Sequence, residues 1–245
     1  MNEAERQRFT ELVKEDQVAR STAFVEDMNW LGVSHYILNQ NFCEAVQIPE
    51  ALDREVELLS RDRRHEARAL HLEFVRRLHN YLAAVKTLID HTRAFRDRWT
   101  DEAFNSAFET RLKELLSNPV VKFIQQLRNP TQHSRLPPVA RVTIFEADSS
   151  KPNMIRPVVR LMVKARDLEN LYAWSSLALE YIRANADYEN VDVTLALRRY
   201  QELLESFYAW FFQQLTITWR DLLDDFDHRR QELARLTTDV SREGV

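Results

Sequence analysis

The chain has 245 residues, 34 basic against 38 acidic side chains and a net charge of −4, so it is long enough to bury a substantial core and carries no global basic field. Glycine occurs only at Gly32 and Gly244, which excludes a dinucleotide fold or a P-loop, since both need several glycines to let backbone amides approach phosphates. Cys43 is the single cysteine, which rules out an internal disulfide and a cysteine-based zinc site.

The opening segment, MNEAERQRFTELVKED, is charged rather than apolar and does not read as a signal peptide. It starts an N-terminal helix over about residues 3–46, on which Cys43 reads as a small buried hydrophobe near Phe42 and Ala45. A second, long helix is expected from about Pro49 to Trp99, with a possible break at the polar SRDRRHEAR. Along it Phe74, Leu78, Tyr81, Val85, Leu88, Thr92, Phe95 and Trp99 recur at alternating spacings of four and three, and Val75, Leu82 and Ile89 widen the stripe. That spacing describes one helix face meant for burial. Asn80 beside it reads as a satisfied buried amide.

A third helix is expected through Leu127. Asn118 and Pro119 supply a cap and a favoured first position, and Val120, Phe123, Ile124 and Leu127 form its buried face. Asn129-Pro130 repeats the cap-and-proline pair, so Arg128 is expected at the end of one helical piece and His133 in the first turn of the next. Beyond it, VARVTIFEA and IRPVVRLMVKA flank the turn-forming DSSKPN and read as a β-hairpin insertion over about 139–165, with Pro157 marking an edge position. A helix follows Asp167. Val193, Leu197, Tyr200, Leu204, Phe207 and Phe211 then line a long C-terminal helix over about 192–236, in which Trp210 and Trp219 read as core. The most apolar run, FYAWFF at 207–212, is too short to span a bilayer. The fold class is therefore all-α, a single domain over 1–245 with a small β insertion, expected to be soluble and cytoplasmic with no membrane partner.

The basic residues are lopsided, 28 Arg against 6 Lys. Arginine suits bidentate contacts to phosphate or carboxylate, although high genomic G+C content produces the same bias. Against that background Arg128, the polar Asn129 and His133 resemble the R-x(4–6)-H signature of the HEPN superfamily. The resemblance covers the motif strictly and the helical region from about 50 to 138 loosely; the hairpin and the C-terminal helix lie outside the common core. It implies a helical fold that dimerises, bringing two motifs into one cleft, and in active members a ribonuclease that uses no metal and no cofactor. Many members have lost activity and serve as scaffolds or as protein- or RNA-binding modules.

The residue types suit that chemistry. A histidine titrating near neutrality can exchange a proton with a ribose 2′-hydroxyl or a leaving oxygen. An arginine can hold the phosphate and stabilise the charge added in the transition state. Asn129 is expected to orient one of them, and Arg135, Arg93 and His91 to serve the substrate backbone from the same cleft. RNA, a second copy of the chain and a neutralising antitoxin or other protein are the partners this reading implies, with a toxin or phage-defence role by analogy. The competing reading is a non-catalytic helical scaffold or binding module. Spacing alone is not selective: Arg64 and His71 satisfy it too, inside a charged helix with no break. The Asp62–His65 and Asp225–His228 pairs have di-metal spacing but strongly charged surroundings, and no metal site is expected there.

Overall fold

The computed structural model describes residues 3–54, 63–133, 138–148, 151–187 and 189–243. The fold is all-α with a small antiparallel insertion. The expected N-terminal helix is two: α1 (Glu3–Val18) and α2 (Arg20–Arg54), separated at Ala19. Thr22 reaches back across the break and donates from Oγ1 to Asp16 Oδ1 at 2.8 Å. Helix α2 continues through Pro49, so residues 49–54 belong to it and not to the long helix. A proline inside a helix forfeits one backbone bond, which the helix here absorbs.

The long helix itself is α3 (Arg64–Arg98). All eight residues of the expected stripe are buried, seven on α3 and Trp99 just past its end, with exposures from 0% at Phe74 to 5% at Phe95. Asn80 is half-buried. The third helix resolves into α4 (Glu102–Leu116) and α5 (Pro119–His133). Asp101 caps α4 by accepting from Phe104 N at 2.8 Å, and Asn118 caps α5 by accepting from Val120 N at 3.1 Å, as its sequence predicts. Helix α5 runs through Pro130 without interruption to His133, so Arg128 and His133 share one helix.

The hairpin is present as β1 (Ala140–Asp148) and β2 (Lys151–Lys164), in register from Ala140 opposite Met162 to Ala147 opposite Ile155. Strand β4 (Asn190–Asp192) pairs with Met162–Lys164 and β3 (Ala186–Asp187) pairs with β4, giving the order β1-β2-β4-β3. Pro157, opposite Phe145, therefore lies outside the stretch of β2 that β4 covers. The β3–β4 pair had no signal because its two-residue loop carries no glycine. Glu189 instead adopts φ 66, a left-handed conformation costing a non-glycine residue about 1–2 kcal/mol. Its carbonyl accepts from Ala165 N at 2.8 Å, which ties the turn to α6 (Ala165–Glu169). Helix α7 (Ser176–Ala184) begins at Ser175, whose side chain accepts from Ala178 N.

The C-terminal helix expected over 192–236 is α8 (Val193–Thr218) and α9 (Arg220–Glu243), interrupted at Trp219 alone. Asp192 caps α8 through Leu195 N at 2.9 Å. Among the described residues no helix is long and apolar enough to cross a membrane.

The chain divides into two compact units. The first holds residues 1–33, 91–108 and 208–245, and its core is aromatic. Phe24 meets Trp99 edge-on at 5.0 Å, Trp219 meets Phe104 at 5.0 Å, and Phe211 lies against Phe95, Phe104 and Phe108. Helix α1 buries Leu12 and reaches α9 through Arg8 to Glu232 at 3.1 Å. Asp27 accepts from Trp99 Nε1 at 2.7 Å and pairs with Arg98 at 2.9 Å.

The second unit holds residues 34–90 and 109–207, including the sheet. Its helices bury Phe74, Leu78, Phe123, Leu197 and Tyr200 completely. Gln201 ties a polar knot into this core: it accepts from Tyr81 Oη at 2.9 Å and donates to Asn39 and Glu205, each at 2.7 Å. Burial pushes the Tyr81 phenol well up from its ordinary range, with Tyr200 and Glu205 adding to the effect. Arg160 of β2 clasps Glu146 of β1 at 2.7 Å and Asp192 at 3.3 Å, binding the hairpin to the start of α8. Cys43, expected to be buried, is exposed; its neighbours Ala45 and Val46 take the inward positions instead.

Candidate functional site

The candidate site is built on the last two turns of α5. Val120, Phe123, Ile124, Leu127 and Thr131 of that helix are buried, and Arg128 lies on the flank of their stripe. Pro130 cannot donate to the carbonyl four residues back. One residue on, Thr131 donates from Oγ1 to the Leu127 carbonyl at 2.6 Å, a side-chain bond to its own helix that needs no outside partner.

The loop leading into α7 closes over this end of α5. Ser175 N donates to Gln126 Oε1 at 2.9 Å, and Asn129 Nδ2 donates to Tyr172 Oη at 3.2 Å. Trp174 anchors the loop by donating from Nε1 to the Leu168 carbonyl at 2.6 Å and by stacking on Phe123 at 5.6 Å. Phe123 stacks in turn on Tyr181 at 5.0 Å. Tyr172, edge-on to Trp174 at 5.9 Å, keeps 39% of its surface exposed. Asn129 is thus held by an exposed tyrosine standing on a buried aromatic stack.

Arg128 is the unusual member. Its Nε is sealed from solvent and has no hydrogen-bond partner among the described residues. A buried donor left unmade costs about 1–3 kcal/mol, more when the group is charged. Two other arginines of the second unit are answered by acids, Arg160 by Glu146 and Arg198 by Glu50, each at 2.7 Å.

Arg128 and Asn129 are adjacent on α5 and are described together. His133 ends the same helix; its side chain lies outside the described residues, as does Arg135 altogether. Five positions along one uninterrupted helix amount to about 140° of rotation, so positions 128 and 133 face apart in a single chain. His91 and Arg93 are exposed on α3, within the first unit, whereas Arg128 belongs to the second. Asp62 lies outside the described residues, and those described contain no group of three or more His, Cys, Asp or Glu able to hold a metal ion. A separate cleft of about 160 Å³ at the α4–α5 turn is lined by Arg111, Glu114, Asn118, Leu203 and Ser206 among others, and Arg111 there is already paired with Glu114 at 2.9 Å.

Sequence reasoning missed Gln126, Tyr172, Trp174 and Ser175. The readable signal was the NLYAWSS stretch, in which two aromatics two positions apart precede a serine cap. No protein-family model, curated protein or solved structure matches the chain.

Proposed function

We propose that the protein is a metal-independent endoribonuclease acting as a homodimer, with Arg128 of one copy and His133 of the other meeting at one RNA phosphate. The observation that carries this reading is the Arg128 guanidinium: a sealed N–H with no acceptor among the described residues, beside an amide already oriented by Tyr172. A guanidinium placed that way suits an incoming phosphate oxygen. The 140° divergence on one helix is the reason to build the site from two copies.

In the proposed reaction His133 removes the proton from a ribose 2′-hydroxyl, and that oxygen forms a bond to phosphorus. The bond from phosphorus to the 5′-oxygen breaks, the leaving oxygen takes up a proton, and the products are a cyclic phosphate and a 5′-hydroxyl. Arg128 balances the charge accumulating on the phosphoryl oxygens, and Asn129 positions the phosphate. Arg135 extends the contact along the backbone. A toxin or defence role, with a neutralising partner protein, fits such a nuclease.

The test is cleavage of a mixed RNA pool in EDTA by the wild type, Arg128→Ala and His133→Ala, with the product ends analysed. Cleavage that survives chelation, leaves cyclic phosphate and falls at least a hundredfold in both variants is the expected outcome. Equal background in all three proteins would replace the nuclease with a helical binding module.

A further inference from the structure

The sheet ends differently on its two sides. At one edge lies β3, only two residues long, and so short a strand gives an outside chain little to pair with. At the other lies β1, nine residues long, whose ladder to β2 stays regular from Ala140 to Ala147. Among the described residues no backbone hydrogen bond reaches β1 from any element except β2, which leaves alternate N–H and C=O groups along its outer side open to pairing. Edge strands are usually guarded by lysine, proline or a bulge. Between Ala140 and Ala147 there is no lysine, proline or glycine, and Val142, Thr143, Ile144 and Phe145 are four consecutive strand formers. On the hairpin face that carries Thr143, Phe145 is 74% exposed and Ile155, diagonal to it across the ladder, is 71% exposed.

Such an edge accepts another strand, and the side chains of β1 complement a second copy of themselves. A two-fold axis normal to the sheet lays β1 antiparallel to its copy and keeps every side chain on its own face. Centred on Thr143, the axis sets Thr143 opposite Thr143, Val142 opposite Ile144 and Phe145 opposite Arg141, the last two pairs occurring twice. Threonine pairs and β-branched pairs directly across a ladder are favourable, and no like charges are opposed. Glu146, already clasped by Arg160, falls opposite the exposed Ala140. Moving the centre to Ile144 or Phe145 instead puts Val142 or Ile144 opposite Glu146. We infer that two copies of the chain join their sheets edge to edge through β1, about a two-fold at Thr143. This gives the β insertion a task that the helices do not perform. The inference stands apart from the ribonuclease reading, because it uses none of the same residues and no RNA.

The test is the molar mass of the full-length protein, free of RNA, measured by light scattering over a dilution series. The wild type is expected to pass from dimer to monomer on dilution. Thr143→Lys, a change at an exposed position, opposes two like charges at the axis and should raise the concentration needed for dimer by roughly tenfold or more. Thr143→Glu should behave in the same way, and an equimolar mixture of the two variants should recover the dimer, since each lysine then meets a glutamate. Disulfide capture gives a second line that does not need the lysine variant to fold. In a Cys43→Ser background, which removes the single native thiol, Thr143→Cys should form a covalent dimer on mild oxidation, whereas Ala147→Cys, displaced from the axis, should not. A wild type that stays monomeric throughout the series overturns the interface. So does a dimer that Thr143→Lys leaves intact, a mixture no more dimeric than either variant alone, or cysteine coupling as readily at 147 as at 143. None of these outcomes depends on whether the protein cuts RNA.

Discussion

The two units are made of the same long helices and differ in how their arginines are treated. In the first, named arginines meet acids: Arg8 meets Glu232, Arg98 meets Asp27, and Arg229 meets Asp225 at 2.9 Å. Cohesion there rests on interlocking rings. In the second, Arg160 and Arg198 are answered in the same way, but Arg128 and Arg141 keep sealed N–H groups without acceptors among the described residues. Arg160 and Arg229 also leave Nε unbonded, yet each has a carboxylate on another nitrogen. An arginine whose charge is matched belongs to the architecture. One whose buried donor is unmatched is where a ligand has something to gain, because filling it recovers a desolvation cost already incurred.

The largest effect should come from the ring core. Phe211→Ala removes a fully buried ring that touches five others and should cost about 3–5 kcal/mol in a urea unfolding experiment. A loss under about 1 kcal/mol would mean that the first unit does not depend on its rings. A sharper probe is a pair of substitutions on the hairpin. Arg160→Met strands Glu146 and Asp192 and should destabilise by about 1 kcal/mol, a figure kept low because the pair is partly exposed. Arg141→Met strands no acid and should be neutral or slightly stabilising by the same measurement. Equal losses in both variants would erase the distinction between matched and unmatched arginines.

The smallest effect is in pH. The folded-state midpoint of His71 lies below its unfolded value of 6.5. Between the two the unfolded chain binds more protons, so stability from this group rises with pH through that window and is complete above 6.5. His71→Gln should therefore flatten the stability profile just below that pH without changing it above. A wild-type profile that falls with rising pH through the window, with the variant parallel to it, would contradict the burial of His71.

Much of this was legible in local pattern. The stripe from Phe74 to Trp99 and the run from Val193 to Phe211 are buried as their periodicity requires, because a helix turns at a constant rate and an apolar face must be covered. Asn118-Pro119 marked the start of α5 and the β-branched runs marked the hairpin, since capping and turn chemistry act over three or four residues. Helix breaks were less visible. Ala19 and Trp219 carry no glycine or proline signal, while Pro49, which does carry one, sits inside α2.

Within the candidate site, Arg128 and Asn129 could be picked out from residue type and position, and β1 could be drawn from its composition. That Asn129 would find Tyr172, 43 residues away, or that Arg160 would meet Asp192, 32 residues away, was written in no local pattern. Propensity and periodicity are short-range properties of the chain, and they settle which segments are helix or strand and which face is apolar. Which arginine meets an acid and which is left unmatched depends on contacts between residues far apart in sequence, and only packing the elements together decides it.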